Sequence, residues 1–122
     1  MLNTQEYFLR RLDRPKIVCL CGSAQFWGTF QTEGLRLALE GKLVLSIEGN
    51  FSEAAALRHP NTPEGKAQKS MLDELHKRKI DLADEVFFLN VGGYMGDSTK
   101  SELAYALMIG KPVMFLEPVC QS

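Results

Sequence analysis

Four short apolar runs, separated by longer segments, most constrain what this chain can fold into. They are rich in β-branched and aromatic residues and occupy positions 16–20, 42–47, 85–90 and 112–116. Runs of this length and composition predict buried β-strands. Because buried strands that alternate with helices form parallel sheets, we expect a doubly wound α/β fold with helices on both faces. Right-handed crossovers then favour the strand order 2-1-3-4.

The segments between these runs have features of helices. The stretch TPE at 62–64 offers a hydroxyl cap, a proline in the first turn and an acid near the positive end of the helix dipole, so we expect a helix over 62–83. Recurring apolar residues that end before a glycine predict two more helices, over 26–40 and 98–109.

Two segments stand apart from this alternation. Residues 1–15 form an N-terminal extension, in which Tyr7, Phe8 and Leu12 predict a short amphipathic helix. Residues 48–61 mix glycine, asparagine, serine, histidine and proline, which predicts a mobile loop. Neither segment has the size of a further domain, so we interpret 1–122 as one domain.

Charge and hydropathy argue against several classes of function. Fourteen basic and 15 acidic residues give a formal charge of -1, so we do not expect the cationic surface that nucleic-acid polymers require. No apolar run approaches the roughly 20 residues that span a bilayer, and the N-terminal residues lack the apolar core of a signal peptide. We therefore expect a cytoplasmic protein with neither a membrane nor a nucleic-acid partner.

The three cysteines, Cys19, Cys21 and Cys120, form no disulfide or metal-binding pattern. Cys19 and Cys21 lie two residues apart on a predicted strand, so their side chains point to the same face in poor disulfide geometry. No second pair of cysteines or histidines has zinc-finger spacing. We interpret these cysteines as small reduced core residues, and expect no metal and no other cofactor.

The predicted strand order brings the loops at 21–23 and 90–98 to one crevice at the carboxyl ends of the strands, where open α/β sheets bind ligands. Gly22 and Ser23 permit close approach of a phosphate or a sugar hydroxyl, with backbone N–H groups as donors. Alternatively, these small residues only make a tight turn. The chain lacks GxGxxG and the P-loop lysine, which argues against dinucleotides and triphosphates.

The second loop and the helix after it, NVGGYMGDSTKSE, end at Glu102. One interpretation pairs Glu102 with Thr99 in a capping box, which needs no ligand. In the other, Glu102 is a carboxylate in the first turn of a helix, kept ionised by the positive helix end, and acts as a nucleophile or as a partner for a developing cation. These two interpretations remain open at this point.

Several motifs together resemble the nucleoside 2-deoxyribosyltransferase superfamily, which includes the deoxynucleoside monophosphate N-glycosidases. The motifs are Cys21-Gly22-Ser23, Ala83-Asp84, Ser101-Glu102-Leu103 and Gly110-Lys111-Pro112. The resemblance covers about 16–116. It implies a flavodoxin-like or Rossmann-like fold and cleavage of the N-glycosidic bond between a base and deoxyribose.

The resemblance also implies roles for individual residues. Glu102 matches the glutamate that attacks the anomeric carbon, with the same logic as in retaining glycosidases. Cys21, Gly22 and Ser23 match the loop that holds the sugar or its 5′-phosphate. Ser98 lies near the hydroxyl that phosphate-binding members use.

Two positions depart from the catalytic pattern of that family. Cys19 stands in place of a tyrosine that orients the nucleophile, and His76 in place of an aspartate. An imidazole can protonate a leaving base, because its pKa lies near neutrality. Alternatively, His76 lies on a solvated helix face with ion pairs such as Asp73–Lys77 and Glu74–Arg78.

Residues around the crevice complete the expected ligand site. Trp27, together with Gly93 and Tyr94 of the glycine-rich loop, is expected to contact the ligand. Trp27 and Tyr94 are the best candidates to contact a base, and Phe51 is a further one. Phe26 is expected in the core. Gln25 and Phe26 occupy the region where phosphate-binding relatives carry arginine, which argues against tight binding of a 5′-monophosphate.

We therefore expect a small-molecule nucleoside or nucleotide as the ligand, and three functions are open. The first is hydrolysis or transfer at the N-glycosidic bond through Glu102, with His76 as acid. The second is a non-catalytic nucleotide sensor, which the changes at Cys19 and His76 would explain. The third, suggested by Gly92-Gly93, Thr99 and Glu102, is a phosphoribohydrolase of the cytokinin-activating type. A shallow crevice also favours closure by a neighbouring subunit, in a homodimer or larger homo-oligomer.

Overall fold

The fold is built on a parallel β-sheet. A computed structural model of the chain describes Asn3 and residues 14–49 and 62–119. Within them, the sheet has four parallel strands in the order β2-β1-β3-β4, which confirms the predicted α/β architecture and strand order. The strands are β1 Ile17–Cys21, β2 Leu43–Leu45, β3 Glu85–Phe88 and β4 Val113–Phe115. The predicted N-terminal helix, most of the predicted loop at 48–61, Phe51 and Cys120 lie outside the described residues.

Three helices connect these strands within the described part of the chain: α1 Trp27–Leu39, α2 Pro63–Leu82 and α3 Asp97–Met108. Thr62 caps α2 as predicted, because its Oγ1 accepts a hydrogen bond from the backbone N–H of Gly65 at 3.1 Å. The helix predicted from residue 26 begins one residue later, after a 3-10 turn at Ala24–Phe26. No helix in the described residues combines the length and apolar character needed to cross a membrane.

Side chains of β1 alternate between two cores, one on each face of the sheet. Val18 and Leu20 point to the face covered by α1. Cys19 and Cys21 point to the face covered by α2 and α3, as their spacing predicts. The buried neighbours on the first face are Phe30, Leu37, Phe87 and Leu89. Those on the second are Ile80, Ala83, Val86, Phe88 and Ala106.

An aspartate anchors the opposite, amino end of β1. The Asp84 carboxylate accepts two hydrogen bonds from the Arg14 guanidinium, at 2.8 and 2.9 Å, and one from the backbone N–H of Ile17 at 2.8 Å. Arg14 and the Ile17 N–H lower the pKa of Asp84 to about 2. The aspartate of the Ala83-Asp84 motif therefore has a structural role here, far along β1 from the carboxyl ends of the strands.

The register of β1 and β3 positions the two loops of interest. Cys21 pairs with Phe88, and the Leu89 N–H donates to the Cys21 carbonyl at 2.7 Å, so the chain leaves both strands at the same edge of the sheet. The loops that follow these strands therefore begin side by side, as the strand order predicts.

Candidate functional site

A cavity of about 510 Å³ lies at the carboxyl ends of the strands. Its walls come from the turn after β1, the residues after β2, the middle of α2 and the start of α3. Among the residues singled out by the sequence, it brings together Gly22, Ser23, His76, Ser98 and Glu102. This is the edge at which open parallel sheets bind ligands.

Packing favours a glycine at residue 22, immediately after β1. A Cβ atom there would lie 3.2 Å from the carbonyl oxygen of Leu89 and 3.4 Å from Cζ of Phe30. Ser23 caps the following 3-10 turn, because its Oγ accepts from the Gln25 N–H at 3.4 Å. Packing at Gly22 and capping by Ser23 thus favour small residues here without a ligand, while both residues still line the cavity.

Glu102 is the sixth residue of α3, which places it in the second turn of the helix. The residue that caps α3 is Gly96, and its cap has no side-chain hydrogen bond, so a capping box of Thr99 and Glu102 is not formed. The Glu102 side chain is 7% exposed and lines the cavity. Its Oε2 has no hydrogen-bond partner among the described residues. Native structures rarely leave a buried carboxylate oxygen in that state without a functional reason.

The ionisation of Glu102 differs from the sequence-based expectation. Burial raises the pKa of its carboxyl to about 7, although the charge of His76 opposes this shift. The expectation that the positive helix end keeps Glu102 ionised is wrong, because the dipole effect falls off after the first turn and Glu102 lies in the second. Near neutral pH both the charged and the neutral form of the carboxyl are therefore populated. Groups with a pKa shifted in this way are common at sites of proton transfer and nucleophilic attack.

His76 is buried on the sheet side of α2. It is 5% exposed, so its placement on a solvated helix face is wrong. Its Nε2 lies 2.9 Å from the Leu20 carbonyl oxygen, which can only accept, so Nε2 carries a proton. Burial lowers the pKa of His76, but Cys19 and the Glu102 carboxyl raise it more, so that it lies above its usual value.

The predicted ion pairs on α2 are formed in part. Arg78 lies 3.5 Å from Glu74, as expected. Asp73 instead pairs with Lys69, whose Nζ lies 3.3 Å from a carboxylate oxygen of Asp73. Asp73 and His76 thus face the cavity, while Glu74 and Arg78 lie on the solvated side of the helix.

Cys19 and Cys21 are fully buried free thiols behind the cavity. Cys19 Sγ lies 3.6 Å from His76 Nε2. A hydrogen bond from Cys21, helped by His76, lowers the pKa of Cys19 to about 6, whereas burial raises the pKa of Cys21. Cys21, predicted to bind substrate, does not line the cavity because its side chain points into the core.

Lys69 and Asp73 line the cavity but were missed by the sequence-based prediction. Lys69 Nζ donates to Ser98 Oγ at 2.8 Å, and Ser98 Oγ donates to Asp73 Oδ2 at 3.2 Å. The three side chains form a polar group between α2 and the start of α3. A signal was present in the sequence, since Lys69, Asp73 and His76 are spaced by four and three residues and share one helix face.

Three further residues that were predicted to contact the ligand do not line the cavity in the described part of the chain. Trp27 packs on Phe30, with ring centroids 6.5 Å apart, because its side chain joins the core on the α1 face. Tyr94 is 51% exposed and meets the edge of Phe26 at 6.1 Å. Gly93 has a φ of +79° and serves a turn after β3. Trp27, Gly93 and Tyr94 are not among the described residues that line the cavity.

A scan of the chain against protein-family models found no matching family, and a search of curated proteins found no match. The functional assignment therefore depends on the cavity and on the chemistry of its side chains.

Proposed function

We propose that this protein cleaves, or transfers a sugar at, the N-glycosidic bond of a (deoxy)nucleoside or nucleoside monophosphate, with Glu102 as the nucleophile. One observation carries the proposal: a buried carboxylate oxygen, without a partner in the described part of the chain, on the wall of a cavity large enough for such a ligand. The resemblance to nucleoside 2-deoxyribosyltransferases supports the same role for Glu102.

The proposed reaction has two balanced steps. First, a Glu102 carboxylate oxygen bonds to the anomeric carbon while the bond from that carbon to the base nitrogen breaks. The base leaves with the electron pair of that bond and takes up a proton. In the second step, water or another base attacks the anomeric carbon, displaces the carboxylate and loses a proton. The carboxylate stabilises the oxocarbenium-like transition state of each step.

His76 is the proposed source of the proton for the leaving base. Its Nε2–H is held by the Leu20 carbonyl, so the proton that moves is carried by Nδ1. The raised pKa of His76 keeps more of the imidazole protonated near neutral pH. The hydrogen bond to the Leu20 carbonyl fixes the orientation of the ring, so that Nδ1 donates its proton from one fixed position.

The polar group of Lys69, Asp73 and Ser98 is proposed to hold the sugar side of the ligand. Asp73 and Ser98 offer an acceptor and a hydroxyl for sugar hydroxyl groups. Lys69 supplies positive charge for a 5′-phosphate, in place of the arginine that is missing at Gln25 and Phe26.

Base release and base exchange test the proposal directly. Purified protein is incubated with a panel of ribo- and deoxyribonucleosides and their 5′-monophosphates, and free bases are quantified by chromatography. We expect Glu102→Gln to lower turnover by about 1,000-fold or more, because the nucleophile is lost. The control Glu74→Gln alters an exposed carboxylate on α2 and should leave turnover unchanged. An absence of product across the panel would contradict the proposal.

A second candidate is a nucleotide sensor without turnover. It is favoured by the pKa of Glu102 at about 7, because a neutral carboxyl donates a hydrogen bond to a ligand instead of attacking it. A ligand at 100 times its dissociation constant would stabilise the fold by about 2.7 kcal/mol. Thermal stabilisation by a nucleotide with no base release would favour the sensor, whereas a melting temperature insensitive to the panel would contradict it.

The glycine pair Gly92-Gly93 forms a turn and does not line the cavity, so its position lends no support to a phosphoribohydrolase.

A homodimer remains part of our proposal. Large exposed apolar side chains, such as Leu39 on α1 and Met108 on α3, are candidates for its interface. Analytical ultracentrifugation of the full chain measures its oligomeric state.

A further inference from the structure

A cluster of metal-binding side chains lies directly behind the cavity. The Sγ atoms of Cys19 and Cys21 and one ring nitrogen of His76 all lie within 4.8 Å of one another. The Glu102 carboxyl lies outside this group of atoms but near enough to raise the pKa of the Cys21 thiol, and it lines the cavity beside His76. Strand β1 supplies the two thiols, and α2 and α3 supply the imidazole and the carboxyl.

The spacing of these atoms approaches that of a zinc site. Zinc binds thiolate sulfur at about 2.3 Å and imidazole nitrogen at about 2.0 Å, so the ligand atoms of a tetrahedral site lie about 3.5 to 3.8 Å apart. Cys19 Sγ and His76 Nε2 are 3.6 Å apart. The other separations among the two thiols and the imidazole, at most 4.8 Å, require a contraction of no more than about 1 Å.

The unpaired oxygen of Glu102 is an independent indication of a cation. Burying a carboxylate without a partner is costly, and no hydrogen-bond donor reaches Oε2 from the described residues. A divalent cation in the cluster would pair with this oxygen and with the thiolates together. The thiols are buried, but His76 and Glu102 line the cavity and offer a route for an ion to enter.

We propose that Cys19, Cys21 and His76 bind one Zn²⁺ ion, and that the Glu102 carboxylate moves toward it as the fourth ligand. Binding removes the protons of the thiols and of Nε2, and it replaces the hydrogen bond from Nε2 to the Leu20 carbonyl. This inference goes beyond the proposed function and does not depend on it. Bound zinc would occupy the Glu102 carboxylate, so any glycosidic turnover should fall when zinc is added and return with a chelator.

Cobalt substitution tests the site in the full chain. Cys120 is replaced by serine, so that the reduced protein keeps only the two thiols of the cluster. Titration with Co²⁺ should give one equivalent of binding, thiolate-to-cobalt charge-transfer bands and the intense visible bands of tetrahedral cobalt. Zn²⁺ should displace Co²⁺ and protect both thiols from a thiol reagent.

Variants then assign the ligands. In the same background, Cys19→Ser and Cys21→Ser should each weaken Zn²⁺ binding by more than about 100-fold. Replacing a residue that only hydrogen-bonds to a metal ligand typically weakens binding by about 10- to 100-fold. Glu102→Gln should weaken binding while the thiolate-to-cobalt bands persist. Glu74→Gln, an exposed carboxylate on the same helix as His76, is the control and should bind normally.

Two results would overturn the site: no charge-transfer bands with Co²⁺ in the Cys120→Ser protein, or bands of undiminished intensity and unchanged affinity in both cysteine variants. The first measurement uses only the Cys120→Ser protein, so it decides the question even if a core variant fails to fold. Circular dichroism reports the folding of each variant. Failure of nucleoside turnover alone would contradict the proposed function and leave the metal result unaffected.

Discussion

Val18 and Leu20 on one face of β1 and Cys19 and Cys21 on the other are equally buried, but their surroundings differ. The first pair packs in an apolar core under α1. The second pair lies against α2 and α3, which bring His76 and Glu102 to the same face. One strand thus separates a core that stabilises the fold from a layer that holds ionisable groups.

The largest expected effect on stability tests the α1 face. Phe30→Ala should lower the free energy of unfolding by about 3 to 5 kcal/mol, because it empties a fully buried position among apolar side chains. Urea denaturation measures the change. Leu39→Ala, at an 80% exposed position of the same helix, is the control and should stay within about 0.5 kcal/mol. Similar losses in the two variants would contradict the core assigned to this face.

On the other face of β1, replacing Glu102 should raise the free energy of unfolding instead of lowering it. The pKa of Glu102 is raised from 4.5 to about 7, so the folded state binds more protons than the unfolded state in this range, and stability falls as pH rises through it. Glu102→Gln removes that loss and should raise the free energy of unfolding by about 3 kcal/mol at pH 8 and by little at pH 4.

Urea denaturation of wild type and Glu102→Gln at pH 4 and pH 8 checks this difference. The groups that act on Glu102 are His76, Cys19, Asp73 and Cys21, and all are unchanged in the variant. Glu74→Gln is the matched control, since it alters an exposed ion pair. An equal gain at both pH values would show that the effect comes from packing and not from ionisation.

Gly22 follows β1 and packs closely against Leu89 and Phe30 of the α1 face. Gly22→Ala should cost about 1 to 3 kcal/mol, because the new Cβ would press on the Leu89 carbonyl oxygen. Gly28→Ala is the control. Among the described residues nothing lies within 4 Å of a Cβ there, so alanine should stabilise α1 by about 0.5 to 1 kcal/mol. Thermal melts of both variants measure this difference. If Gly22→Ala left the melting temperature unchanged, packing would not explain the glycine, and only the close approach of a ligand would.

The smallest expected effect concerns Asp84, at the amino end of β1. Its pKa is lowered to about 2, so its contribution to stability is present above pH 3.8 and is lost as pH falls toward 2. Asp84→Asn should therefore be less stable than wild type at pH 7 and equal to it near pH 2. Acid unfolding curves measure this difference, and a deficit that persists at pH 2 would show that the asparagine disturbs packing.

Much of the fold was predictable because its signals are local. The four apolar runs and the Thr62 cap each depend on a few neighbouring residues, and the structure forms those strands and that helix. The predicted ends were less accurate. The second strand was expected over 42–47 but is Leu43–Leu45, and Ile47 lines the cavity instead. An apolar residue beside a cavity has the same local pattern as one in a strand.

The site was predictable only in part. Glu102, Ser23 and Ser98 were named and do line the cavity. The charged run on α2 did not reveal that His76 is buried, because its i,i+4 pairs occur equally on a solvated helix. Trp27 was expected near the ligand but packs in the core, since proximity in sequence does not determine which face of the sheet a side chain joins.

By itself, the sequence determined the alternation of strands and helices, the strand order and the shared face of Cys19 and Cys21, because these follow from periodicity and chain connectivity. Only the tertiary structure decided that both thiols lie beside His76, with the Glu102 carboxyl near Cys21. It also decided the ionisation of that carboxyl. The pKa of Glu102 depends on burial by elements distant in sequence, and no local pattern encodes how much water they exclude.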